Sequence, residues 1–422
     1  RKQPFNPIFP SSDSVGRSIA MAESPKSVEN LDMSAIMFRL SRVLMCSTCC
    51  WFACQLIAVA TEPTDVEVVT AAADGSRQTV VGHLRREAQD GSLLVETATQ
   101  QLKLLAGDEI ISRTTPPPAE PLSAREVGRQ TLADLPAGFS LLTTRHYAIC
   151  YDTSLGYARW AAALLEQLHQ GFHAYFSGLG LPLKPSQQPL IVVIFSDRQA
   201  YEAAATRDLG AGSHSIVGYY NQLSNRITTF DLTGIDALQE DLPASAGRAG
   251  LTLLKSPRAA GLVATLVHEA THQLAFNTGI HQRLAPVPVW VSEGIATYFE
   301  TPELAAMRGW RTIGGVNRPR LDLIRRQFTP GLIGRIIASD APFRDPDEAL
   351  VAYAHAWAMA SYLLKQRRGE FADYLLILAE KPPLEDDSPE RRRADFQAAF
   401  GCEPTELEQP LLRYLANLPR LE

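Results

Sequence analysis

The sequence predicts an α+β protein in which a small β domain, built as a β-barrel or sandwich, precedes a larger domain with a mixed sheet and a mainly helical C-terminal part. Residues 65–112 alternate apolar and polar side chains and carry turn signals at residues 74–75 and 90–91, a pattern typical of short strands. Further along, apolar runs of strand length alternate with amphipathic runs of helix length, and from Glu303 onward the pattern is mainly helical. The contrast between these two parts predicts the fold class.

Composition divides the chain into five segments. Arg39 and Arg42 precede an apolar stretch that ends in small side chains at residues 58–60, which is the pattern of a secretory signal peptide. An uncleaved membrane anchor is the alternative interpretation, although the stretch is short for a membrane span. The predicted segments are an upstream extension that is non-native or disordered (1–36), the signal peptide (37–60), the small β domain (61–113), a proline-rich linker (114–122) and the second domain (123–422).

The second domain begins with alternating strand and helix patterns. Apolar runs predict strands over residues 146–152 and 190–195. A helical periodicity predicts an amphipathic helix over residues 157–179. Two strand-like runs around a polar turn predict a hairpin over residues 217–230.

One predicted helix, over residues 259–276, carries the pattern His268-Glu269-Ala-Thr-His272. Residues four apart lie on one face of a helix, so His268 and His272 can share one ion, and imidazole nitrogen suits zinc. Glu269 lies beside that ion rather than on it, where a general base for a metal-bound water belongs. A plain core helix is the alternative, but such groups are seldom buried without partners.

Glu293 is the predicted third ligand. Twenty residues separate it from His272, enough for a proline-containing loop and a second helix. Ser292 is the expected N-cap of that helix, and Thr297 or Glu300 is expected to hydrogen-bond a ligand histidine. The alternative is that Glu293 only occupies a first helical turn, where the helix dipole favours a carboxylate. Three protein ligands with one open position are typical of a catalytic zinc site.

The two motifs together resemble those of the gluzincin metallopeptidases. The strings HEATHQLAFNTG over residues 268–279 and PVWVSEGIATYFE over residues 288–300 are most similar to a peptidase MA-like family found in planctomycete bacteria. The resemblance implies that His268, His272 and Glu293 bind zinc and that Glu269 is the base. The Gly-x-Met-Glu-Asn segment of the aminopeptidase branch is missing from the sequence, so aminopeptidase specificity does not follow.

The resemblance also implies a donor for the oxygen that becomes negative during peptide hydrolysis. In aminopeptidase-like gluzincins a tyrosine near the start of a later helix has this role, and Tyr353 matches that pattern. His355 is the alternative donor, and a core tyrosine near Trp357 is the interpretation without a catalytic role. In this family a strand just before the zinc helix forms a sheet edge that pairs with extended substrate backbone. The resemblance implies that residues 226–230 have this role here. An ordinary internal hairpin is the alternative for that segment.

Charge and cysteine usage narrow the classes of partner. The net charge is −6, without a basic stripe, which disfavours nucleic-acid binding. The expected partner is a peptide or protein substrate, with no stable membrane span after signal cleavage and an unknown oligomeric state. Cys150 and Cys402, outside the signal segment, could form a disulfide in an exported protein. His169 and His173 are also four apart, but no acid follows them at ligand spacing, so they are interpreted as a helix face.

These features predict an exported zinc-dependent metallopeptidase, located in the periplasm, in the cell envelope or outside the cell. It would hydrolyse peptide bonds through a zinc-bound water that Glu269 activates. The alternative is a catalytically inactive, peptidase-like envelope module in which zinc is structural or missing and the small β domain binds a partner. A structural zinc site normally has a fourth protein ligand, for which His281 is the nearest candidate.

Overall fold

The computed structural model describes residues 65–71, 75–117, 120–186, 188–210, 216–234, 259–301 and 313–419. The predicted upstream extension and signal peptide lie outside these residues. In the part of the chain that is described, no helix combines the length and the apolar character that a membrane span needs. Cys150 and Cys402 both have free thiols, so they do not form a disulfide.

The first sheet is antiparallel throughout. Its five strands are β1 (Asp65–Ala71), β2 (Arg77–Glu87), β3 (Leu93–Thr97), β4 (Leu102–Leu105) and β5 (Ile110–Thr114). Successive side chains of a strand point to opposite faces, and one face carries a small core that includes Val66, Val68, Val80 and Val95. The spatial order is β4-β3-β2-β1-β5. The prediction of a β domain in this region therefore matches the strands that form.

The expected barrel or sandwich is wrong in detail, because the described strands form one open sheet. Strands β4 and β5 lie at opposite edges of the sheet and do not pair with each other. Instead, β4 meets the second part of the molecule, where the Leu102 N–H donates to the Leu223 carbonyl at 2.7 Å. The contact gives a backbone N–H at the sheet edge a hydrogen-bond partner, which in a closed barrel a neighbouring strand would provide.

The second sheet is mixed. Its strands are β6 (Ser140–Thr143), β7 (Tyr147–Tyr151), β8 (Leu190–Phe195), β9 (Gly218–Asn221) and β10 (Arg226–Phe230), in the order β6-β7-β8-β10-β9. Strand β8 runs parallel to β7 and β10, whereas the outer pairs β6–β7 and β9–β10 are antiparallel. Strands β7 and β8 are buried along their whole lengths, which explains their continuous apolar runs. Strands β6 and β9 form the two edges and β10 is internal, so the implication that residues 226–230 pair with substrate backbone is wrong, and these residues belong to an internal hairpin strand.

Helices make up most of the remaining chain that is described. They are α1 (Ala124–Ala133), α2 (Leu155–Ser177), α3 (Arg198–Leu209), α4 (Ala260–Asn277), α5 (Val289–Phe299), α6 (Arg318–Gln327), α7 (Leu332–Ala338), α8 (Ala341–Arg344), α9 (Ala349–Gln366), α10 (Arg368–Ala379), α11 (Pro389–Phe400) and α12 (Glu408–Ala416). Helix α4 packs against β9, β10, α2 and α5, and α5 also packs against α9. The α+β fold class is thus confirmed, with α4 between the sheet edge and the helical part.

Candidate metal centre

Helix α4 brings two histidines together. It is apolar and mostly buried, and His268 and His272 lie one turn apart on the same face. Their Nε2 atoms are 3.0 Å apart and face each other. The side chains expose 11% and 6% of their surface, so their nitrogen atoms are nearly shielded from water.

Helix α5 supplies the third group but begins earlier than the sequence predicts. Its first residue is Val289, its N-cap is Pro288, and Glu293 falls in the second turn. Ser292 is therefore not the N-cap; its hydroxyl donates instead to the Val289 carbonyl at 3.2 Å. The Val289 N–H donates to the Asp340 carboxylate at 3.0 Å, which satisfies a helix-end group that a local cap would have bound.

The carboxylate of Glu293 completes a three-residue set. Its Oε2 lies 3.1 Å from the Nε2 of His268, and its Oε1 lies 3.3 Å from the Nε2 of His272. One donor atom from each residue lies within 4.8 Å of the other two. Burial alone would raise the pKa of Glu293, but His272 and His268 hold it well below its usual value. Two imidazoles and a carboxylate converging at this separation fit a tetrahedral zinc ion in both donor type and number.

Glu269 lies next to this set, as predicted, but its carboxylate makes a hydrogen bond outside the set. Its Oε2 accepts the Tyr220 N–H of edge strand β9 at 2.8 Å. The side chain is buried, and burial raises its pKa although His268 and His272 oppose the shift. A carboxylate with a raised pKa beside a metal set is suited to accept and return a proton.

Glu300 orients one of the histidines. Its Oε1 lies 2.6 Å from the Nδ1 of His268, so the other ring nitrogen is directed towards Glu293. Thr297, the other residue expected in this role, bonds instead to carbonyl groups of its own helix. Burial opposes ionisation of Glu300, yet Arg320 and His268 hold the pKa of its carboxyl below the usual value.

Glu300 is in turn held by two residues for which the sequence predicts no role at this site. Asn317 donates from Nδ2 to Glu300 Oε2 at 2.9 Å, and an Nη atom of Arg320 lies 3.5 Å from Oε1. Asn317 also caps α6 through its side chain, which is the only role that a local pattern reveals. The contact with Glu300 joins residues distant in sequence, so no spacing rule predicts it.

Tyr353 is buried near this region. It lies on the same face of α9 as Ala356 and Ala360, which press against Gly294 so closely that a Cβ there would meet both at 2.9 Å. Its ring packs edge-on against Phe343 at 5.2 Å between centroids. Helix α9, which carries Tyr353, therefore packs directly against α5, the helix that carries Glu293.

His355 is engaged elsewhere. Its Nδ1 lies 2.8 Å from the Val351 carbonyl, and its Nε2 accepts the Thr329 N–H at 3.4 Å. Burial lowers its pKa, which favours the neutral ring that this pair of contacts requires. Both ring nitrogens thus have backbone partners, which leaves Tyr353 as the better of the two predicted donors.

His281 does not join the three-residue set. Its Nδ1 lies 3.0 Å from the Ile280 carbonyl, and its ring packs on Phe276. Burial lowers its pKa to about 3, so the ring is neutral. The three-residue set in the described part of the chain consists of His268, His272 and Glu293, without His281.

The second histidine pair forms a stack rather than a metal set. The His169 ring lies 3.8 Å from His146 and 4.3 Å from His173, nearly parallel to the first. Glu166 accepts a hydrogen bond from the Nδ1 of His146 at 2.7 Å. Both His169 and His173 lie on α2, and the group that could hold a metal among the described residues is formed by other side chains.

Comparison with known proteins adds one match. Residues 262–385 match the model of a family described as "Protein of unknown function (DUF1570)". The matched segment contains α5 and all but the first two residues of α4, with all three residues of the candidate metal set, and also Tyr353. No curated protein matches the chain. The chain is thus similar to this family over the segment that holds the candidate metal centre.

Proposed function

We propose that this protein is an exported zinc metallopeptidase of the gluzincin, peptidase MA-like type. The observation that carries the proposal is the convergence of His268, His272 and Glu293 next to the buried carboxylate of Glu269. A zinc ion held by these three residues would supply Lewis acidity towards water and a peptide carbonyl. The predicted signal peptide supports export, and the proposed substrate is a peptide or protein.

The chain's own groups then have separate tasks. Glu269 removes a proton from the attacking water and passes it to the leaving amine, which balances the hydrolysis. Tyr353 donates a hydrogen bond to the carbonyl oxygen as negative charge develops there. Glu300 fixes the ring orientation of His268. These tasks require a water-poor site, which the burial of all three metal-binding side chains supports.

Edge strand β9 is the place where substrate backbone would pair. It lies at the edge of the second sheet and packs against α4, and its Tyr220 N–H already reaches Glu269. An extended peptide added to such an edge receives main-chain hydrogen bonds that do not depend on its side chains. This assignment replaces the internal strand β10 that the sequence suggests.

The alternative, an inactive envelope module with a structural zinc, receives less support. Structural zinc sites are closed by a fourth protein ligand, and the candidate for that position, His281, is not part of the ligand group that the described residues form. Among the described residues, three metal-binding side chains beside a buried base match the ligand number of a catalytic zinc site.

The deciding experiment compares the wild type with Glu269→Gln. Zinc content per chain is measured by mass spectrometry, and turnover is measured on a peptide library. We expect about one zinc per chain in both proteins and cleavage only by the wild type, because the amide keeps the shape but cannot accept the proton. Cleavage by Glu269→Gln would overturn the mechanism. A wild type that binds no zinc at neutral pH would favour the inactive module.

Tyr353→Phe tests the second catalytic role. Removing one donor to the developing oxyanion costs about 10²–10³ in kcat. We expect a loss in that range with zinc affinity unchanged, because the hydroxyl is not among the metal-binding atoms. Tyr362→Phe, on the same helix, is the matched control. Unchanged kcat in Tyr353→Phe would leave Tyr353 as a core residue only.

A further inference from the structure

The three-arginine run at residues 391–393 contains one buried member. A short run of like charges on a helix is typical of a solvated face. In the structure the side chains of Arg391 and Arg393 are 44% and 50% exposed, whereas that of Arg392 is 9% exposed. A buried guanidinium is costly unless it is paired, so its partners indicate what it does.

Arg392 makes a bidentate pair with Asp340. The two Nη atoms donate to the two carboxylate oxygens at 2.7 and 2.8 Å. Its Nε lies 3.3 Å from Asp387, which in turn binds Lys381 at 2.7 Å. Asp387 and Lys381 expose 1% and 3% of their side chains, so the pair belongs to a buried ionic network. Such a network fixes the carboxylate of Asp340 in position and orientation.

The same carboxylate holds the start of helix α5. Pro288 provides no side-chain cap, and the Val289 N–H donates to Asp340 at 3.0 Å instead. A carboxylate at this end is also favoured by the helix dipole. The next residue, Trp290, stacks on Tyr374 with centroids 5.7 Å apart and planes at 13°. The first turn of α5 is thus fixed by contacts from outside the metal centre.

Glu293 lies four residues beyond Val289 on this helix, about 6 Å along its axis at 1.5 Å per residue. A helix moves as a rigid element over that length, so a change at its start changes the place of the Glu293 carboxylate. That carboxylate has to meet both His268 and His272, at 3.1 and 3.3 Å. The two histidines are on α4 and would not follow such a movement.

We propose that the Arg392–Asp340 pair is a positioning element that places Glu293 as a metal ligand. The inference rests on the proposed zinc site and deepens it. It assigns a role to α11, which lies beyond the segment matched by the family model, since that match ends at residue 385. Arg392 is not one of the three proposed metal-binding residues, so we assign its effect to Asp340 and the first turn of α5.

The experiment measures the zinc dissociation constant of the full chain by competition with a fluorescent chelator. We expect Arg392→Met to weaken zinc binding about tenfold or more, within the range found when groups behind metal ligands are removed. Arg392→Lys keeps the charge but not the bidentate geometry and should give an intermediate value. Arg393→Met removes the same charge from an exposed position of the same helix and should bind zinc like the wild type.

A second control separates positioning from general destabilisation. Val68→Ala opens a cavity in the core of the first sheet, far along the chain from α5, and should lower the melting temperature without changing the zinc dissociation constant. Equal zinc affinities for Arg392→Met and wild type would overturn the inference. A loss of zinc affinity in Val68→Ala as large as that in Arg392→Met would also overturn it. If Arg392→Met does not fold, Arg392→Lys decides by the same criterion.

Failure of the proposed function can be distinguished from failure of the positioning inference. A wild type that binds no zinc overturns both proposals. Cleavage by Glu269→Gln overturns the catalytic mechanism only and leaves the zinc measurements, and therefore the positioning inference, standing.

Discussion

The imidazole of His268 has two nitrogens, and each faces a different carboxylate. Its Nε2 faces Glu293 at 3.1 Å, and its Nδ1 lies 2.6 Å from Glu300. A neutral ring carries one proton, and the strong acceptor at Nδ1 draws it there, which leaves the Nε2 lone pair for a metal. At the residue scale, the ability of His268 to bind a metal therefore depends on Glu300, which is not itself a metal ligand.

Glu300→Gln tests this dependence. The amide has nearly the shape of the carboxylate but is a weaker acceptor, so His268 loses both its fixed tautomer and part of its basicity. We expect zinc affinity to fall about 10- to 100-fold, as for other groups behind a ligand histidine. The measurement is the zinc dissociation constant by chelator competition. Glu348→Gln, which breaks an exposed ion pair with Arg335, should leave that constant unchanged. Equal constants for Glu300→Gln and wild type would contradict the assigned role.

At the scale of elements, helix α2 packs against β7, and a histidine of α2 stacks on His146, the residue before that strand. His169 of α2 lies between His146 and His173, with Glu166 beside His146 and Arg145 nearby. Burial, together with the neighbouring His146 and His173, lowers the pKa of His169 to about 4. An unfolded chain takes up this proton near pH 6.5. Between these two pH values the unfolded state binds more protons, so folding stability decreases as the pH falls.

Urea denaturation at pH 7 and pH 5 checks this prediction. We expect the lowered pKa of His169 to remove about 1–2 kcal/mol of unfolding free energy between these pH values, with some screening by solvent allowed for. His169→Leu should lose less stability over the same interval. Both proteins are measured with chelator, because acid also weakens zinc binding. His83→Gln, at an exposed position, is the control. An identical pH dependence for His169→Leu and wild type would contradict the prediction.

Elements also show where sequence reasoning works and where it stops. The helix that carries His268 and His272 was predictable because its ligands are four residues apart, a spacing that one helix sets by itself. The start of α5 was not, because its cap comes from Asp340, fifty-one residues from Val289. The edge strand was misassigned for the same kind of reason, since the order of strands in a sheet is set by contacts between distant segments.

For the whole molecule, the first sheet is joined to the second by a buried polar network. Gln100 accepts from Asn225 at 2.8 Å and donates to the Pro189 carbonyl at 2.8 Å. Asn225, at the tip of the β9–β10 hairpin, also exchanges two hydrogen bonds with Asn277 of α4 and accepts from Tyr220. The network thus connects the first sheet, the edge strand and the helix of the metal centre.

An ion pair strengthens this junction. Arg283 binds Glu96 of β3 and donates to the Gln100 and Gln222 carbonyls at 2.7 and 3.1 Å. The Arg283 and Glu96 side chains are 8% and 13% exposed. The sequence suggests a separate accessory domain because strand patterns and a proline-rich segment are local features. The contacts that attach the first sheet to the second part are made by individual polar residues, which form no recognisable sequence pattern.

These contacts predict that the two parts unfold together. Residues 61–113 contain no tryptophan and Trp51 lies in the predicted signal peptide, so in the chain from Thr61 onward tryptophan fluorescence reports on the second part, whereas far-ultraviolet circular dichroism reports on both. Coincident urea transitions with the two probes are expected for one cooperative unit. Gln100→Leu removes two buried hydrogen bonds and leaves their partners unsatisfied, which should lower the unfolding free energy by about 1–3 kcal/mol. Gln101→Leu, whose side chain makes only a 3.5 Å contact with Asp134, is the matched control. Separate transitions in the wild type would show that the first sheet is only tethered to the metal-binding part.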